Sequence, residues 1–259
     1  MQSHSWSRCL ILAVLSAGVF FGLGQALTAM APSMGVESPS NRQVVFKGMM
    51  VLAALVIWAI SRRPWRDMGW RRPSWTGGWW RANWPWYAAS GAAMAAASLV
   101  MILTRNIHPL VAKLSFLQLV LGVWVVSSVA EEIYVRGMFQ GLCSTPQPPD
   151  SLPYSQPGSG PESTPASRIA SSPAVVTSAA LFASMHVPLI WMGSGVVGGA
   201  VIVAATLVVG WACAVLRART GSVWPPILLH FAANVAAVPG GIIGTIAYRL
   251  INGEFPKMP

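Results

Sequence analysis

Charge is what this chain of 259 residues has least of. Charged side chains make up 9% of it, against about 25% in soluble domains. Acids are rarest, seven in all. The three cysteines, Cys9, Cys143 and Cys213, are scattered and lack metal-ligand spacing. They suggest neither a disulfide framework nor a zinc site. The chain also has no HExxH motif and no convincing internal repeat. What is present is apolar: 54% of residues are hydrophobic and the mean hydropathy is +0.56. These features read as an all-α, polytopic transmembrane helix bundle. The net charge of +10 does not imply a nucleic-acid partner. The basic residues gather in loops between apolar runs, the pattern of membrane orientation and contact with lipid headgroups.

A spanning helix needs about 20 mostly apolar residues. Eight candidates are expected, at roughly 9–31, 44–60, 84–104, 116–142, 173–192, 195–216, 223–238 and 239–251. Ala29-Met30-Ala31 resembles a signal-peptidase site, but the apolar run before it is longer than a signal core of 7–15 residues. A retained first helix is therefore expected. Residues 1–115 hold the first helices and a basic, Trp-rich loop at 61–83. Residues 116–238 form a core, and residues 239–259 a short C-terminal helix and tail. The segment 144–172 is rich in Pro, Ser and Gly and reads as a flexible loop. Gly195 and Gly199 are spaced for close helix packing. Arg62, Arg63, Arg66, Arg71, Arg72 and Arg81 crowd 61–83 against one acid, Asp67. With that loop cytoplasmic, Arg217, Arg219, Arg249 and Lys257 fall on the same side, and Arg42, Lys47, Arg105 and Lys113 on the other. The positive-inside rule then gives a multi-pass protein, expected in the plasma membrane, with both termini cytoplasmic. Eight of the thirteen tryptophans lie between Trp58 and Trp86, as an interfacial belt or surface helix does.

Of the seven acids, only Glu131 and Glu132 fall at membrane depth. One carboxylate there costs at least ~2.5–3.5 kcal/mol on the insertion scale, so something must compensate two. On a helix Glu132 and Arg136 are four apart and share a face. Arg136 can neutralise Glu132 and leave Glu131 pointing elsewhere. In a second motif His186 follows Phe182 by four, in an apolar stretch. In a third, Asn234 follows His230 by four. Each motif alone has a structural explanation: an ion pair that fixes packing, a histidine bonded to a neighbouring helix, or an Asn and His that glue helices. Polar groups at membrane depth, however, face the bundle interior or a wet cavity. Three such helices are expected to turn these faces together. A carboxylate, two imidazoles and a carboxamide around one cavity match a hydrolytic site.

The order EExxxR, FxxxH, HxxxN resembles the CAAX protease and bacteriocin-processing family of intramembrane endopeptidases, which includes the type II CAAX prenyl endopeptidases. The run Arg219-Thr220-Gly221-Ser222-Val223-Trp224-Pro225-Pro226-Ile227 before His230, and Arg136-Gly137, carry the likeness further. It covers roughly 116–238. It implies that Glu131 activates water with help from His186. It implies that His230 and Asn234 stabilise the oxyanion, with Glu132, Arg136 and Phe182 in support. The long insert between the first two motifs departs from the family pattern.

The expected function is thus glutamate-dependent cleavage of a membrane-associated peptide or protein, in contact with the bilayer and without a cofactor. If zinc were present, Glu131, His186 and His230 would be its ligands, as a His2Glu set. Two rival readings stand beside it. One is an ion- or proton-coupled transporter, because intramembrane Glu and His also form proton relays. The other is a non-catalytic bacteriocin-immunity or partner-binding membrane protein.

Overall fold

The computed structural model describes residues 3–36, 38–73, 77–106, 114–144 and 169–256. Most of the Pro/Ser-rich insert (145–168), His108, Lys113, Trp75 and Lys257 lie outside the described residues. Among the described residues, seven helices are long and apolar enough to cross a membrane: α1 (Ser3–Met30), α2 (Pro39–Ser61), α3 (Gly77–Leu103), α4 (Phe116–Cys143), α5 (Pro173–Ser184, reaching Ile190 through a 3-10 turn), α6 (Gly195–Thr220) and α7 (Trp224–Asn252). Their outer faces carry Leu15, Ile60, Val196, Leu250 and Ile251, each 60–81% exposed. In water that surface would be a liability. In lipid it needs no partner, because helices satisfy their own backbone polar groups.

Seven spans replace the eight expected because 223–238 and 239–251 form one helix. Pro239 lies inside α7. Proline breaks helices in water, but neighbouring helices make it tolerable inside a membrane. Gly240 and Gly244 mark a close approach rather than a half-inserted piece. A Cβ on Gly240 would lie 2.1 Å from the Ala95 carbonyl oxygen of α3, and one on Gly244 3.0 Å from Ile102. The Gly195/Gly199 pair packs differently from expectation. Gly195 turns the chain into α6 at φ +64°, and Gly199 abuts Ile190 of the preceding 3-10 turn.

The helix ends gather at two poles. The arginine-rich pole is tied by Arg217 Nη2 to the Asp67 carbonyl at 2.7 Å, Ser222 Oγ to the Arg71 carbonyl at 2.6 Å and Arg63 Nη1 to the Gly141 carbonyl at 2.8 Å. The C-terminal end of α7 sits at the other pole, where Arg105 meets Glu254 at 3.4 Å. Arg249 moves to the far pole with α7, and the arginine bias between the poles survives the change.

Capping fixes several ends. Ser38 accepts from the Asn41 amide ahead of α2, and Ser115 with Gln118 forms a capping box at the start of α4. The core lies where α2, α4, α5, α6 and α7 meet, around Trp58, Tyr134, Phe139, Phe182, Leu216 and Leu229. Trp58 belongs to this core rather than to an interfacial belt. It is fully buried, and a Cβ on Gly141 would touch it at 2.9 Å. Trp65, Trp70, Trp80 and Trp84 are exposed near the arginine-rich pole, as a belt requires. The helix α1 is part of the bundle: Tyr134 Oη of α4 donates to the Ser16 carbonyl at 2.6 Å.

Candidate active site

Around its acidic pair α4 changes winding. Ser128–Glu132 is α-helical, whereas Leu119–Ser127 before it and Ile133–Phe139 after it are π-helical. Such wide turns recur at functional sites. Glu132 is wholly buried, and its Oε1 accepts from Arg136 Nη1 at 3.2 Å and from His230 Nδ1 at 3.0 Å. Arg136 is equally buried. Its Nη2 donates to the Gly210 carbonyl at 2.6 Å, and its guanidinium lies 4.5 Å from the centre of the Phe182 ring. The absence of a side chain on Gly210 makes this possible, since a Cβ would come within 3.0 Å of Phe182 and 3.3 Å of Arg136. Glu132 thus has both a cation and an imidazole against it.

Glu131 has a different partner. Its Oε1 meets Lys47 Nζ of α2 at 2.5 Å, with both side chains buried. Its Oε2 has no hydrogen-bond partner among the described residues and lies 3.8 Å from His230 Nε2. Sequence reasoning assigned Lys47 to the side opposite the arginine-rich loop and gave it no chemistry. The available signal was a lysine directly after Val44, Val45 and Phe46, within the apolar part of α2, where a membrane-depth charge should prompt a search for its partner. Arg217 lies at the arginine-rich pole as expected, buried in the last turn of α6.

His186 sits just past the end of α5 rather than within it. Its Nδ1 lies 3.0 Å from the Phe182 carbonyl oxygen. A carbonyl only accepts, so Nδ1 carries the proton and Nε2 keeps its lone pair. Phe182 stands between the two histidines, with ring centres 5.1 Å from His186 and 5.2 Å from His230. The Asn234 Nδ2 donates to Ser128 Oγ at 3.2 Å and to the Val123 carbonyl at 3.3 Å, which anchors α7 to α4. Glu131, His186, His230, Asn234, Phe182 and Lys47 all border one cavity of about 610 Å³. Glu132 and Arg136 stand behind it. The rest of its wall is mostly apolar and includes Met94, Trp124 and Ile202. It is a pocket that can hold an extended apolar chain beside a cluster of acid–base groups.

Residues 113–236 match the model of the type II CAAX prenyl endopeptidase Rce1-like family. That segment, a little under half of the chain, is similar to this family. No curated protein and no solved structure matches the chain. The match, together with seven candidate membrane spans among the described residues, supports an intramembrane endopeptidase. All seven site residues expected from the sequence fall within the matched segment. Lys47 does not; it is brought to the site by a helix that the Rce1-like match leaves out.

The zinc alternative needs Glu131, His186 and His230 to converge. Among the described residues, no three His, Cys, Asp or Glu side chains gather closely enough to hold a metal.

Proposed function

We propose that this chain is a glutamate-dependent endopeptidase that hydrolyses a peptide bond in a membrane-associated substrate. One observation carries the reading: four chemistry-bearing side chains from three helical segments, Glu131, His186, His230 and Asn234, border a single cavity inside the bundle. Lys47 engages Glu131 Oε1 and leaves Oε2 to take a proton from water. The unprotonated His186 Nε2 is a second acceptor that orients the same water. The water oxygen attacks the carbonyl carbon, and its proton passes to Glu131. The negative oxygen of the tetrahedral intermediate is met by His230 as an imidazolium, with Nδ1–H on Glu132 and Nε2–H on that oxygen, and by the Asn234 amide, which exchanges one of its long bonds to α4 for the substrate. The C–N bond then breaks, and the proton held by Glu131 leaves with the amine. The arginine-rich pole faces the cytoplasm of a plasma membrane in this reading, which puts the C-terminus outside.

Glu131→Gln is the decisive variant. It keeps the size and one oxygen acceptor but removes the base, and general-base removal typically costs 10²–10⁴-fold in rate. Comparing the membrane proteomes of cells carrying wild-type and Glu131→Gln protein should show C-terminal or leader fragments only with the former. Unchanged fragment profiles, with the variant inserted at normal levels, would refute the assignment. The buried Lys47–Glu131 pair is the one feature that favours the transporter reading, because charged pairs also build ion paths. Proton-coupled flux in proteoliposomes without any cleavage would replace the endopeptidase with that rival.

A further inference from the structure

A second cleft, of about 160 Å³, opens at the arginine-rich pole and shares no lining residue with the membrane cavity. Arg63, Arg66, Arg71 and Arg217 line it, and Asp67 is its only carboxylate among the described residues. Asp67 neutralises little of this charge. Its Oδ1 is 3.7 Å from Arg66 Nε, and its Oδ2 is buried without a hydrogen-bond partner among the described residues. Two of the arginines are held instead by backbone oxygens. Arg63 Nη1 donates to the carbonyls of Gly141 and Ser144, each at 2.8 Å. Arg217 donates from Nη2 to the Asp67 carbonyl at 2.7 Å and from Nε to the Arg136 carbonyl at 3.2 Å. Carbonyls orient a guanidinium without cancelling its charge. Gly69 completes the cradle. Its φ is +97°, and a Cβ there would lie 2.8 Å from the central guanidinium carbon of Arg217, so only glycine lets that group lie flat on the turn.

Four guanidinium groups, two of them held in orientation, facing one described acid in a half-buried cleft are unfavourable without an anion. The cleft is smaller than the roughly 300–1,000 Å³ of pockets for drug-sized ligands and suits a single charged group. The planar guanidinium fork matches phosphate oxygens in pairs. The cleft also lies where α2 and α6 end, beside exposed Trp65 and Trp70, the level at which amphipathic rings meet lipid headgroups. We infer that this cleft binds a phosphate group, supplied by the headgroup of an anionic phospholipid. The site is independent of the endopeptidase reading, so neither stands or falls with the other.

The test uses the full-length protein in neutral detergent, with retained lipid read by native mass spectrometry. Dioleoylphosphatidylglycerol should be kept in preference to dioleoylphosphatidylcholine. Arg66→Gln combined with Arg71→Gln should weaken that retention about tenfold or more, because each loses charge-assisted hydrogen bonds. Arg62→Gln with Arg72→Gln removes the same charge from exposed side chains outside the cleft and should leave retention unchanged. Thermal stabilisation by inorganic phosphate, lost in the Arg66/Arg71 variant but without headgroup preference, would support the same chemistry with a soluble source. Three outcomes would overturn the site: equal retention of the two lipids with no phosphate effect, undiminished phosphatidylglycerol binding by a monodisperse Arg66/Arg71 variant, or equal loss in both double variants.

Discussion

Arginine is buried twice in this molecule, under opposite rules. In the membrane cavity Arg136 faces a carboxylate, Glu132, which also bonds His230. At the pole Arg217 is just as enclosed, but its bonds run to the carbonyls of Asp67 and Arg136. The first cluster closes its charge on itself, and what it leaves to the cavity is the Oε2 of Glu131 and the ring of His230. The second leaves its charge open. A site that moves protons needs its supporting charges cancelled, so that they do not compete for the reacting groups. A site that captures an anion needs its charge oriented and uncancelled.

The sharpest break of this comparison is Arg136→Ala. It strands Glu132 in the core, and removing one partner of a buried pair costs about 3–5 kcal/mol. Membrane abundance and the thermal midpoint in detergent should both fall, and Glu132→Ala should do the same from the other side. Wild-type levels and melting in both variants would show that the pair carries no stability. Arg217→Gln should cost less, about 1.5–3 kcal/mol for lost charge-assisted hydrogen bonds, because no carboxylate is left behind. A cost equal to that of Arg136→Ala would erase the distinction between the clusters. Lys47→Met also strands a buried carboxylate and should lower abundance, but its effect on the rate of the folded protein is smaller still, because the freed Glu131 oxygen faces away from the reacting water. The substitution should lower kcat about tenfold, the scale of one hydrogen bond to a charged group, with KM nearly unchanged and partial recovery in Lys47→Arg. A change confined to KM would remove Lys47 from the reaction. The smallest expected effect is that of a chelator. Cleavage should continue unchanged after dialysis against EDTA, and activity restored by zinc after loss would reverse the metal-free reading.

Much of the first cluster was legible in the sequence. Glu132 and Arg136 lie one helical turn apart, so their pairing is a local property of α4. His186, His230 and Asn234 announced themselves because a polar side chain in a membrane helix must face inward, and the cavity does gather them. Lys47 was misread because its partner is 84 residues away, and a lysine near a helix start looks like an orientation signal. The acceptor of Arg217 on Asp67 lies 150 residues away, so no local pattern records that bond. The break expected between 238 and 239 is absent because packing on α3 carries α7 through Pro239.

The sequence by itself determined that this chain lives in a membrane, roughly where its helices run, and which polar side chains fall at membrane depth. Those properties are sums over neighbouring residues, namely hydropathy over a span and spacing over a turn. Only the tertiary structure decided that Lys47 sits on Glu131, that His230 bridges towards both carboxylates, and that four arginines share a cleft with a single acid. Those pairings depend on how each helix is rotated and how closely glycines such as Gly210 and Gly69 let neighbours approach. No local pattern records the angle at which two distant helices meet.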